Sequence, residues 1–315
     1  MLYVSTRNTN DTYTAYRALH ETYAPDGGFY VPFYLPSFSE DMLTSFKACS
    51  SADVIAQILN MFFGLHLSSW DVECAIGRMP FKLEAMNHKL LLAELWRNPE
   101  SSFAYLQKSL YKLMTNDEGV DKLPEGWSRI GIEVALLFSI YAAMEEEPNS
   151  FDIAVTTGDY ADVLSIFCAK AMGLPVNLTV CTSEENSIVW DLLNRGEFSV
   201  EIKQTDTATP NYLESFLYIC MGKDAVGLYL DACARKGVFY IDEIQQASLR
   251  EMLFAVVASK TRADTVISSI FRTNQYQVSP DAALAFGGLQ DYRSATGVSR
   301  DTLILAKVCP MRIKG

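Results

Sequence analysis

Apolar positions recur at helical spacing in ADVIAQILNMFF, where Val54, Ile55, Ile58, Leu59 and Phe62 share one face; Ser51 is placed to cap this helix and Gly64 to stop it. Ahead of it, Ala24 to Pro36 is rich in Gly, Pro and aromatics and predicts a loop with tight turns, so the first eighty residues read as short helices separated by turns. Lys89 to Trp96 is an apolar run of strand length, and Phe103 to Met114 reads as a helix. The polar stretch Thr115 to Gly126 is linker-like. Beyond it the pattern changes. Ser128 is placed to cap RIGIEVALLFSIYAAM, which is apolar nearly all round and predicts a buried helix. FDIAVTT then reads as a strand, Asp162 to Met172 as a helix ended by Gly173, and PVNLTVCT as a second strand. Ser183 is expected to cap EENSIVWDLLNRG, with FSVEIK as a third strand. Strand and helix alternating at this spacing predict a parallel sheet covered on both faces. The remainder reads as helical, with Gln246 to Ser259, Ala263 to Phe271 and Ala282 to Leu289, before a last strand TLILAKV.

Composition narrows the function classes. The 315 residues amount to roughly two domains of about 150 residues. They are 49% hydrophobic and 20% charged, enough to bury a large core. A formal charge of −12 repels phosphate backbones, so no nucleic-acid partner is expected. No run of apolar residues is long enough to span a membrane, and MLYVSTRNTN lacks the charged and apolar blocks of a secretory leader. Seven scattered cysteines without a CxxC argue against a disulfide framework and for a reducing cytoplasm. His20, His66 and His88 have no second ligand at metal-binding spacing, so no metal site is expected.

One loop has chemical potential. Val155 to Asp162 joins a buried strand to a helix, where free amides and the positive end of the helix dipole face the carboxyl edge of the sheet. An anion could sit there, although Asp159 at the tip would repel it, and Asp159 or Asp162 could simply cap the helix. GxGxxG, GxxxxGK[ST] and GxSxG are absent. Glu145-Glu146-Glu147 reads as a solvated end of a helix before Pro148.

At this loop a family resemblance becomes specific. VTTGDYADVLSIFCAKAMGLPVNLTVCTSEENSIVWDLLNRGEF resembles the threonine synthase segment PTGNFGDxLAGYxAKxMGLPI…TNxNDxLxxxLxTGxY. MLYVSTRN and APDGGFYVP resemble the start of that family, GWSRI resembles its NWARI, and YQVSPDAALAFGGL its D-P-H-T-A-x-G segment. The resemblance implies an α/β, three-layer parallel-sheet domain of the type II pyridoxal-phosphate (PLP) fold with a helical N-terminal part. The implied division is 1–86 for that helical region and 87–315 for the large domain.

The family holds PLP on a lysine within ELFHGPTxAFKD. The matching stretch is Glu94 to Tyr105, which puts Ala104 at the lysine position, Arg97 at the histidine and Tyr105 at the aspartate. An alanine forms no imine. The family's phosphate cradle GNFGD becomes Gly158-Asp159-Tyr160-Ala161-Asp162, its TNxND becomes Thr182 to Asn186, and its late hydroxyl residue becomes Lys307. A small cofactor-covering domain, which the family carries between about residues 115 and 126, has only a dozen residues here. The resemblance with these departures implies a pseudoenzyme: no catalytic residue, no PLP, and a remnant pocket of Arg97, Tyr105, Thr157, Gly158, Asp159, Tyr160 and Lys307. Arg97 also has a plain structural reading, an ion pair with Glu94 or Glu100. The pocket would take a small acidic metabolite or amino acid. The alternatives are an interaction or regulatory subunit, and residual PLP-dependent threonine synthase or lyase activity through another lysine. Loss of the covering domain would expose apolar surface, so a homo-oligomer is expected.

Overall fold

A computed structural model describes residues 1–96, 102–145, 148–158, 160–184, 187–200 and 212–310. The N-terminal region is not only helical. Strands β1 (Leu2–Ser5), β2 (Tyr13–Thr14) and β3 (Tyr30–Pro32) form an antiparallel sheet in the order β2-β1-β3, with α1 (Ala15–His20) following β2. The stretch read as a loop therefore contains a strand, because Tyr30–Pro32 pairs with β1 after a turn closed by the Tyr23–Phe29 bridge. Helices α2 (Glu40–Phe46), α3 (Ser51–Phe63) and α4 (Ser69–Ile76) come next. Ser50 rather than Ser51 caps α3, in a reciprocal box with Asp53.

The main sheet has six strands in the order β10-β7-β6-β11-β5-β4. They are β4 (Lys82–Asn87), β5 (Leu90–Glu94), β6 (Phe151–Thr156), β7 (Val176–Ser183), β10 (Leu253–Val257) and β11 (Thr302–Ala306). All neighbours run parallel except the β4–β5 hairpin. The division after residue 86 falls inside β4, so that hairpin goes with the main sheet.

On one face lie α5 (Phe103–Thr115), α6 (Gly126–Ala143) and α7 (Ala161–Ala171), with α3 packed outside α6. The α3–α6 approach is close: a methyl at Gly131 would stand 2.8 Å from the Phe63 ring. Trp127 is buried between Tyr3 and Phe62, so one continuous core joins the N-terminal region to this face. The opposite face is covered by α12 (Lys260–Asn274) and α13 (Pro280–Thr296). A third core lies under α8 (Ile188–Arg195), α9 (Leu213–Met221), α10 (Lys223–Arg235) and α11 (Glu243–Met252).

Several expectations need correction. Ser128 lies inside α6, its hydroxyl donating to Glu125 O at 2.7 Å, and Ser183 ends β7 instead of capping α8, which begins after Ser187. The third strand is β8 (Glu197–Ser199), which pairs antiparallel with β9 (Val238–Tyr240) outside the main sheet; the rest of FSVEIK after Val200 lies outside the described residues. Gln246 to Ser259 is not one helix: α11 stops at Met252 and the chain turns into β10, an edge strand beside β7. No helix or strand intervenes between α5 and α6.

Candidate functional site

In a parallel sheet the carboxyl ends of the strands face the starts of the following helices, and ligands bind in that crevice. Here β11 ends at Ala306 beside the end of β5 at Glu94, and Lys307 is the next residue. The start of α7 brings Asp162 to the same place. The Lys307 ammonium donates to the Asp162 carboxylate, with side chains only 19% and 10% exposed. The same ammonium lies 4.9 Å from the centroid of the Phe103 ring, at the start of α5. The Lys307 amide faces an oxygen of Asp281, in the first turn of α13, at 3.4 Å.

Glu133, on the buried side of α6, borders the same space. Its carboxylate accepts from Gln107 Nε2 at 3.0 Å, Arg129 Nε at 2.9 Å and Ser165 Oγ at 3.2 Å. Such a satisfied network is the condition for keeping a charge in a core. The space left between Lys307, Asp162, Glu133, Ser165 and Phe103 is about 10 Å³, room for about one water. On the α13 side of the edge, Tyr276 donates to Glu94. Burial and that carboxylate together hold the Tyr276 phenol far above its ordinary pKa. Among the described residues, Thr182 Oγ1, Ser183 Oγ, Ser279 Oγ and one oxygen of Asp281 are buried without a partner.

The structure separates the expected pocket residues. Tyr105 follows Phe103 by two positions, about 200° round the helix, and so faces away from Lys307. It is 53% exposed and lines a different cavity, of about 250 Å³, with Cys74, Gly77 and Pro80. Thr157 ties β6 to β7, its amide donating to Thr182 O at 2.9 Å. Gly158 is exposed, with nothing within 4 Å of where a Cβ would stand, so no close approach there requires glycine. Tyr160 packs into the core, and burial pushes its phenol well up. It occupies the N-cap of α7 without a side-chain cap, and the Asp162 carboxylate turns to Lys307 instead of capping. Arg97 and Asp159 lie outside the described residues. The sequence motifs do not single out Phe103, Glu133 or Ser165 as site residues. A lone acid inside RIGIEVALLFSIY was a signal for Glu133, whereas nothing local marks Phe103.

A larger cavity of about 460 Å³ lies at the opposite edge of the sheet, between Leu83, Leu91, Phe151, Leu303 and Met144. Among the described residues no group of three His, Cys, Asp or Glu side chains could hold a metal, and no helix is long and apolar enough to cross a membrane.

This fold is that of the threonine synthases. A PLP-bound threonine synthase from Brucella melitensis superposes with a TM-score of 0.78 at 19% identity, covering 98% of this chain and 89% of that one. In sequence, residues 2–78 match the family described as threonine synthase N terminus. Threonine synthase-like 1 of Macaca fascicularis is 23% identical over 174 residues, and threonine synthase-like 2 of Homo sapiens 20% over 397 residues. The first match takes in 50% of this chain but 23% of the relative, and the second 90% and 82%. The chain thus spans less than a quarter of the length of threonine synthase-like 1. Its likeness to the threonine synthases lies in the sequence of residues 2–78 and in the fold of nearly its whole length.

The Brucella enzyme is PLP-bound, so the fit of that group can be tested here. Ala104 offers no amine, the Lys307 ammonium is committed to Asp162 and the Phe103 ring, and the space beside them is water-sized. These residues do not fit a lysine-linked pyridoxal phosphate.

Proposed function

We propose that this chain is a pseudoenzyme: a threonine synthase-like scaffold that has lost PLP chemistry and binds a small amino-acid-like metabolite. The observation that carries the reading is the Lys307–Asp162 pair beneath Phe103, with Ala104 at the family's lysine position. The direct passage from α5 to α6 supports it, as does an alignment with threonine synthase-like 2 longer than this chain itself. Both fit the absence of a covering domain. A ligand at the carboxyl edge would be held by the unpartnered hydroxyls of Ser183 and Ser279 and by the free oxygen of Asp281. Glu94 and Asp281 lend that edge negative charge, which favours an amino acid's ammonium over an acidic metabolite. Seven thiols without a disulfide agree with a cytoplasmic setting.

The test is an absorption spectrum of the purified protein with added PLP, followed by borohydride trapping and peptide mapping. No aldimine band and no trapped lysine are expected. A stoichiometric adduct on one lysine, Lys307 above all, would overturn the pseudoenzyme reading and restore an enzyme. Thermal-shift measurements across the amino acids then test the ligand, since binding to the folded state raises the melting point.

A second reading, an interaction subunit, draws on the exposure of Tyr105 (53%) and Leu123 (43%) where a covering domain would sit. Light scattering coupled to size exclusion tests it. A 35.2 kDa monomer at high concentration rules out the self-associating form.

A further inference from the structure

Lys307 fills a space that could recognise a free amine. Among the described residues its ammonium meets the Asp162 carboxylate and the face of the Phe103 ring, and Leu95, Leu136, Leu137 and Leu305 wall the adjoining cavity. Glu133 already accepts from Gln107, Arg129 and Ser165, and among the described residues Asp162 is the carboxylate that pairs with the cation there. A desolvated carboxylate, a ring face and aliphatic walls together select an ammonium on a short alkyl chain: the charge needs the carboxylate and the ring, the carbons need the wall.

We propose that Asp162, Phe103 and this wall form a binding box for a primary alkylammonium group, and that Lys307 occupies it in cis. The tether gives the lysine a high effective concentration, so a free amine is excluded while the side chain is present. The proposal goes beyond the loss of cofactor chemistry and stands on the box alone.

The atoms that Lys307→Ala removes, Cγ through Nζ, are those of propylammonium. Melting of the full-length variant is followed with methyl-, ethyl-, propyl- and hexylammonium chlorides at constant ionic strength, with propanol as the neutral isostere and no PLP present. The wild type should not respond to any of them. Lys307→Ala should melt about 5–15 °C lower, because Asp162 is left buried and unpaired. Ethyl- and propylammonium should restore that loss saturably, and propanol and hexylammonium should not. Lys307→Met, which keeps the stem and drops the charge, should lose stability without rescue, and Asp162→Asn with Lys307→Ala should abolish rescue. If Lys307→Ala does not fold alone, its refolding in propylammonium but not in propanol is the supporting result. Equal effects of propanol and propylammonium, on melting or on refolding, would overturn the proposal, as would an unchanged melting point for Lys307→Ala. A PLP adduct on Lys307 would sink the pseudoenzyme reading and leave this outcome untouched.

Discussion

Arg7 and Glu214 clamp the N-terminal sheet to α9, and replacing Arg7 with Met tests how much that clamp contributes. The guanidinium donates to both carboxylate oxygens, at 3.0 Å from Nε and 2.9 Å from the terminal nitrogen, and Thr6 donates to the same carboxylate. The Glu214 side chain is 6% exposed, so Arg7→Met leaves a buried carboxylate with one hydroxyl partner. Breaking a fully buried pair in this way costs about 3–5 kcal/mol. Arg7 itself is 35% exposed, so water reaches part of the gap and the expected loss falls to about 2–3 kcal/mol. Methionine keeps the stem that packs near Gly28, which confines the change to the two charged hydrogen bonds. Urea unfolding followed by circular dichroism measures it: the midpoint should fall while the slope stays constant. Glu214→Gln, which keeps the shape and removes the charge, should cost less. A loss below about 0.5 kcal/mol for Arg7→Met would refute the reasoning, since it would place the pair among surface ion pairs of little worth.

Other outcomes follow from single positions. A methyl at Gly288 would stand 2.0 Å from Thr182 Oγ1 and 2.8 Å from its Cγ2, so Gly288→Ala should force α13 off the sheet and cost about 2–4 kcal/mol, read as a fall in the thermal midpoint. Burial pushes the Asp152 carboxyl above its ordinary pKa, against the Asn177 hydrogen bond and the nearby Arg300. The folded protein therefore holds that proton more tightly than the unfolded chain, and this contribution to stability fades as pH rises through the raised value. Asp152→Asn should flatten that dependence, so its stability relative to wild type should rise as the pH climbs above the ordinary carboxylate range in urea titrations. Alkylation with mass mapping should modify exposed Cys74 quickly. Cys168 and Cys181 should stay protected until unfolding, the Cys181 thiol being pushed up to about 12 by burial.

What the sequence made legible was local. Helix α6 announced its burial through an all-round apolar pattern, and the β6–α7–β7 unit through a strand, a helix stopped at Gly173, and a second strand. Strand β10 was hidden because LFAVV follows a helix without a glycine or proline break, and a short apolar run has no period of its own. Strand β8 was legible as a strand but not as an antiparallel one, since its partner β9 comes some forty residues later. The candidate site failed for the same reason. Lys307 and Asp162 lie 145 residues apart, and only the order of the strands makes them neighbours. Tyr105 was misplaced by the converse error: adjacency to Ala104 in sequence says nothing of which side of α5 it takes.

The order β10-β7-β6-β11-β5-β4 puts the latest strand in the sequence near its middle. During synthesis, β4–β5 and β6–β7–β10 emerge as separate half-sheets, each with an open edge awaiting β11. Unpaired strand edges of this kind recruit other chains. A message truncated between Val257 and Thr302 would therefore yield not a smaller folded protein but two unsealed half-sheets in tandem, a natural client for chaperones and proteases. The cell's quality control would see that lesion long before any ligand could report it.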